Sequence, residues 1–173
     1  MGKKKELWDI YDKDKKVTGR TMVRNDFNMQ PGDYHLSVLA VIKRSDERFL
    51  ITKRVMTKRW APGHWEVTGG GCKAGETSFE AICRETLEET GLDVKDCPHK
   101  LALTYRRDNP EEGDNYFVDV YLFKKDFEDS DVKIQKEEAC DFKAATLDEI
   151  RAIAAKGEFL HYNSIRDVFE EDF

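Results

Sequence analysis

Three glutamates, Glu85, Glu88 and Glu89, stand at positions i, i+3 and i+4 of one short stretch, the spacing that brings side chains to one side of an α-helix. The segment from Glu76 to Gly91 also holds Glu76 and Glu80 against the single base Arg84, a balance of −4 over 16 residues. Like charges at i,i+4 destabilise a helix by roughly 0.2–0.5 kcal/mol. Glu88 and Glu89 also fall in the last turn, where the macrodipole disfavours anions. Such a face asks for a compensating charge. A divalent cation supplies one, and a set made only of carboxylates suits Mg²⁺ or Mn²⁺ better than zinc. The alternative is a solvated acidic surface, the common fate of a Glu-rich helix.

The elements that must position these groups are readable from periodicity. Phe79, Ile82, Cys83, Thr86 and Leu87 follow helical spacing, Thr77 or Ser78 caps the start, and Gly91 stops the run. An intact apolar face predicts a docked helix. Ahead of it, Gly69-Gly70-Gly71 reads as a hinge whose bare backbone N–H groups can approach a phosphate oxygen. Residues 6–24 read as a hairpin turning at Asp12 to Lys16, and His35 to Lys43 with Arg48 to Thr52 as a strand pair. Trp65 to Val67, Leu101 to Arg106 and Tyr116 to Phe123 are further strands. Asp108 to Asp114, with Pro110 and Gly113, is a loop. Thr146-Leu147-Asp148-Glu149 is a capping box opening a helix to about Ala155, and Tyr162 to Phe169 is a last amphipathic segment. Strands and helices in this order predict an α+β fold with a mixed sheet.

At 173 residues the chain is one ordinary domain with a short arm, residues 1–34 preceding a domain over 35–173. Its net charge of −6 argues against duplex nucleic acid as a partner, because phosphate-backbone binding needs a basic surface. A small phosphorylated ligand stays open if local cations or metal ions reverse the field. The longest apolar stretch, Leu36 to Ile42, is seven residues broken by Ser37, too short to cross a bilayer. The Met1-Gly2-Lys3-Lys4-Lys5 start has no apolar core of a signal peptide. The four Cys form no C-x-x-C pair, so a reducing, cytoplasmic setting is expected.

Gly70-x5-Glu76-x7-Arg84-Glu85-Thr86-x-Glu88-Glu89-x-Gly91-Leu92 resembles the Nudix box, G-x5-E-x7-R-E-U-x-E-E-x-G-U with U aliphatic. Eight of its nine defined positions match over 23 residues; Thr86 departs from the aliphatic position. Thr86 has the size of Val, although its hydroxyl needs a partner if buried. The strand order over roughly residues 35–155 is similar to the family's α/β/α sandwich. The resemblance implies cleavage of a diphosphate linkage in a nucleoside diphosphate derivative or related organic pyrophosphate, with Mg²⁺ or Mn²⁺. It implies metal ligation by Glu85 and Glu89, and by Glu88 as a further ligand or water-orienting group. It gives Arg84 the part of orienting a box glutamate and Glu76 that of anchoring the loop before the helix. Gly70 and Gly71, with Arg54 at a strand end, are expected beside the substrate phosphates, and a homodimer is a family expectation.

The proton acceptor lies outside this pattern: Glu138 is preferred, with Glu137, Glu111, Glu112 and a box glutamate as alternatives. Lys58 and Arg59 add positive charge near Arg54, and Trp60, Trp65 and Tyr105 are candidates to stack on a base. Two other readings compete. The arm and the spacing of Lys53-Arg54, Trp60 and Gly63 are similar to isopentenyl-diphosphate-isomerase-like members, but those need a Cys where Thr68-Gly69 stands here. A non-catalytic nucleotide-binding module would be expected to lack a box carboxylate, and all are present.

Overall fold

The computed structural model describes residues 5–172. The hairpin of β1 (Leu7–Tyr11) and β2 (Val17–Val23) is a two-stranded sheet of its own. It bridges to the rest through Tyr11 and Tyr34, which exchange backbone hydrogen bonds of 2.8 and 2.9 Å. At its turn the Lys15 ammonium reaches both oxygens of Asp119, at 2.7 and 2.8 Å, a carboxylate only 1% exposed that also accepts from Thr104. An unpaired carboxylate could not be held there without a large desolvation cost.

The second sheet is centred on β3 (His35–Lys43), which runs parallel to β8 (Tyr116–Lys124) and is followed outward by β7 (His99–Arg107). On its other edge β3 pairs at one end with β4 (Arg48–Arg54) and at the other with β6 (Thr68–Gly71). Strand β4 in turn carries β5 (Trp65–Glu66) and β9 (Ala139–Thr146). Apolar alternation along β3 and β8 divides the core. Leu36, Val38, Ala40 and Ile42 pack toward helix α1 (Ser78–Thr90) with Phe117, Tyr121 and Phe123. Val41, Val118, Val120 and Leu122 face Ile150 of α2 (Leu147–Ala155), Ile165 of α3 (Tyr162–Ile165) and Phe169. This is the expected α+β sandwich around a mixed sheet. No helix among the described residues is long and apolar enough to cross a membrane.

Four sequence expectations change. Gly69, Gly70 and Gly71 are not a hinge: they are the strand β6, with Ser37↔Gly71 and Leu39↔Gly69 in register, and none has a positive φ. Glycine is needed there for closeness: a Cβ on Gly69 would stand 2.2 Å from the Val38 carbonyl, and one on Gly71 2.8 Å from the Trp8 indole. Leu87 does not join the apolar face of α1 and is 51% exposed; the buried stripe is Ala81, Ile82, Glu85, Thr86 and Thr90. Thr86 is fully buried, yet its hydroxyl finds no partner. Finally, Tyr162 to Phe169 is one helical turn passing into a 3-10 turn, Arg166–Glu170.

Candidate active site

Helix α1 begins where Thr77 accepts a hydrogen bond from the Glu80 N–H and ends at Gly91, whose φ of 75° permits its N–H to close on Leu87. These caps fix the rotation of the helix so that Glu85 lies within its buried stripe, 8% exposed, against β6. A Cβ on Gly70 would fall 2.4–2.7 Å from the Glu85 carboxyl atoms. Only glycine leaves that carboxylate its place.

Arg84 organises this end of the cleft. Its guanidinium gives a forked pair to Glu76, both contacts 2.8 Å, and reaches Glu85 at 2.9 Å, Glu88 at 3.4 Å and the Gly71 carbonyl at 3.1 Å. The hydrogen bonds to Glu76 are the main reason its pKa is raised further. Burial pushes Glu85 above the usual carboxylate range, with Arg84 opposing. Glu89 has no cationic partner among the described residues: it accepts from Thr68 Oγ1 at 2.5 Å and from the Gly69 N–H at 3.4 Å. Burial, with the nearby Glu85 charge adding to it, lifts its pKa to about 8. The three carboxylates share one side of the helix as their spacing predicts, but their oxygens are turned to protein donors. Among the described residues no three His, Cys, Asp or Glu side chains gather into a chelating group.

The cleft bordered by these groups encloses about 840 Å³ and carries eight carboxylates against five Lys or Arg. Its floor is β3 and β8, through His35, Ser37, Leu39, Tyr116 and Val118, and one wall is Arg54, Lys58, Trp60, Glu66 and His161. Of the expected site residues, Glu85, Glu88, Glu89, Arg84, Gly70, Gly71, Arg54 and Glu138 all line it. Glu112 does as well, whereas Glu111 and Glu137 do not. Glu138 is held by Lys58 at 2.5 Å. Arg54 donates to the Trp60 carbonyl at 3.1 Å and to both oxygens of Glu66 at 3.4 Å, and lies 5.2 Å from the centre of the Trp60 ring. Trp60 is 58% exposed and Tyr105 borders the cleft, while Trp65 packs into the core. Arg59 is outside.

Sequence reasoning missed Glu66, whose carboxyl burial raises above the ordinary range, and the hairpin residues Glu6, Trp8 and Arg24. A charged residue between Trp65 and Val67, in a strand entering the box, was the available signal for Glu66. For the hairpin there was none, because its place in the cleft is set by long-range docking. A hard divalent cation suits the candidate donors: all are carboxylates, Glu85 is buried and Glu89 half-buried, and the cleft has too few cations to balance them.

The sequence profile of the NUDIX domain matches residues 33–168. An uncharacterized Nudix hydrolase of Listeria monocytogenes is 32% identical over 165 residues, spanning 95% of this chain and 94% of its own. A protein from Deinococcus radiodurans of known structure shares the fold with a TM-score of 0.69 at 23% identity, over 88% of this chain and 91% of that one. A MutT protein from Methanosarcina mazei Go1 aligns with a TM-score of 0.59 at 26% identity, over 79% and 91% of the two chains. A match of that length, with a relative at that identity along nearly all of its sequence, makes the chain a member of the Nudix hydrolases, enzymes that split diphosphate linkages.

Proposed function

We propose that the chain hydrolyses a nucleoside diphosphate derivative with Mg²⁺ or Mn²⁺ held by Glu85, Glu88 and Glu89. The observation that carries this reading is Glu85 buried and Glu89 half-buried against the glycine strand, with no cationic partner for Glu89 among the described residues. When bound, the cation supplies charge neutralisation at phosphorus and a more acidic water. Arg84 orients Glu85 and Glu88 while Glu76 fixes Arg84, so the positions of two ligands are set by one guanidinium. Thr68 orients Glu89. Glu138 stands on the cleft wall and is kept in place by Lys58, which supports its part as acceptor of the water's proton.

The organic end of the substrate is a nucleoside in this reading. Trp60 presents a largely exposed indole inside the cleft, with the His161 ring 6.0 Å away and Arg54 over it. Stacking of a base on such a surface is worth about 1–3 kcal/mol. Isomerisation of isopentenyl diphosphate is disfavoured: Thr68 and Gly69 occupy the stretch where a Cys would be needed, and the buried Cys72 thiol is pushed up to about 12, mainly by desolvation.

The test is a panel of ADP-ribose, sugar nucleotides, nucleoside triphosphates, dinucleoside polyphosphates and isopentenyl diphosphate, assayed with Mg²⁺ and with excess EDTA. Release of nucleoside monophosphate that stops in EDTA and falls at least about a hundredfold in Glu138→Gln is expected. Turnover unaffected by EDTA removes the metal assignment, full activity of Glu138→Gln removes the base, and an allylic product replaces hydrolysis by isomerisation.

A further inference from the structure

A diphosphate entering this cleft needs positive charge beyond the metal site, and most of the cleft's own cations are already engaged. Arg84 is saturated by Glu76, Glu85, Glu88 and Gly71, Arg54 is held by Glu66 and Trp60, and Lys58 by Glu138. Two remain: Lys73, with no side-chain partner among the described residues, and Arg24, which spends one nitrogen on Glu6 at 3.1 Å. A guanidinium carries five N–H donors in a planar fork suited to phosphate. Arg24 is 48% exposed and borders the cleft, so most of its donors face open space.

Its placement is built. The Arg24 N–H bonds the Glu6 carbonyl at 2.9 Å, and Glu6 Oε2 accepts from both Arg24 and the Trp8 indole at 3.0 Å. Trp8 in turn stacks on His35 with ring centres 4.3 Å apart and lies against Gly71. Arg24 is thereby registered to β3 and β6, the strands that carry the site. Asn25, with a left-handed φ of 64°, follows, and Asn25 and Phe27 also line the cleft. Phe27 lies against Gly113, where a Cβ would meet the Phe27 carbonyl at 2.1 Å, and the Met29 N–H reaches the Gly113 carbonyl at 3.4 Å. Lys73 belongs to the same edge: Ala74 and Gly75 after it donate to the Leu7 carbonyl and the Asp9 carboxylate.

We propose that Arg24, with Lys73 in support, binds the phosphate oxygens of the diphosphate substrate, so that the N-terminal hairpin completes the active site. This rests on the hydrolase reading above. Arg24→Met, Arg24→Lys and the control Lys13→Met, an exposed lysine on the same hairpin outside the cleft, are compared for kcat, KM and Tm on the best-cleaved substrate with saturating Mg²⁺. Arg24→Met should raise KM on the order of tenfold to a hundredfold, the range for a lost hydrogen bond to a charged group, with kcat within about threefold and Tm unchanged. Arg24→Lys should recover part of the loss, because charge returns without the fork, and Lys13→Met should match the wild type. An unchanged KM in Arg24→Met overturns the proposal. So does a KM that rises only together with a fall in Tm and is not relieved by Lys. Calorimetric binding of adenosine diphosphate in Mg²⁺ reads the same contact without turnover. If the wild type binds it and Arg24→Met weakens it by the same factor while nothing is cleaved, the hydrolase reading fails and the Arg24 assignment stands.

Discussion

Replacing Glu89 by Gln in the metal-free protein separates a ligand face from an ordinary acidic surface. Burial and the Glu85 charge lift the Glu89 carboxyl from 4.5 to about 8. Below pH 4.5 the carboxyl is protonated in both folded and unfolded chains and costs nothing. Between 4.5 and 8 the unfolded chain gives up this proton while the folded chain keeps it, so stability falls as pH rises. Above 8 both are ionised and the full penalty stands. The penalty is about 5 kcal/mol at its upper bound, and water reaching the cleft reduces it to about 2–3 kcal/mol. Gln cannot ionise, and its amide oxygen can still accept from Thr68 and Gly69. In EDTA the variant should equal the wild type near pH 5 and exceed it by about 2–3 kcal/mol at pH 9, measured by urea unfolding. Adding Mg²⁺ should stabilise only the wild type, by about 2.7 kcal/mol at a hundred times its Kd. Turnover of the variant should fall by about three orders of magnitude or more. A variant less stable than the wild type at pH 9 in EDTA, or a difference flat in pH, would refute the reasoning: the carboxylate would then be a structural partner of Thr68 and nothing more.

Thr86→Val should stabilise the fold by about 1–2 kcal/mol in thermal or urea unfolding, since it removes a buried hydroxyl with no partner at nearly constant volume, and kcat should be unchanged. Gly70→Ala should cut activity at least about a hundredfold, because its Cβ would occupy the space of the Glu85 carboxyl; the Mg²⁺ dependence of the residual rate should shift to higher concentration. Lys15→Met should destabilise by about 2 kcal/mol, read by unfolding at pH 7, by leaving the buried Asp119 with Thr104 alone. Trp60→Ala should raise KM about tenfold for nucleoside substrates and leave isopentenyl diphosphate binding untouched, in competition assays.

The parts of this fold that were legible in the sequence are those fixed by neighbours along the chain. Helix α1 declared itself through the Thr77 cap and the Gly91 stop, and α2 through the reciprocal pair of Thr146 and Glu149, which the structure forms in full. The strand β6 was not legible, because three glycines carry no side-chain pattern. What makes them a strand is pairing with Ser37 to Ala40, and what makes them glycine is the approach of Val38, Glu85 and Trp8 from elsewhere. The Arg54–Glu66 pair and the entry of Glu6, Trp8 and Arg24 into the cleft depend in the same way on docking between distant segments. His161 holds a left-handed backbone at φ 61° beside Trp60, a conformation that nothing in its own residue type announces.

The crowding of charge on α1 gains a different meaning once the stripe is seen. Had Glu85, Glu88 and Glu89 formed a solvated face, their mutual repulsion would be screened by water and would shape nothing. Glu85 instead takes a place in the buried stripe, four residues after Ala81 and three after Ile82, where the period calls for an apolar side chain. Its neighbours are arranged around that exception: glycine at position 70 to give it room, and Arg84, itself locked by Glu76, to hold it. Glu89 beside it is given two hydrogen-bond donors and, among the described residues, no positive charge. A helix built only for stability would carry Leu or Ala at position 85. The destabilisation is local, directed at the cleft, and a cation entering there would relieve it, so binding and folding should be coupled at this site and nowhere else along the helix.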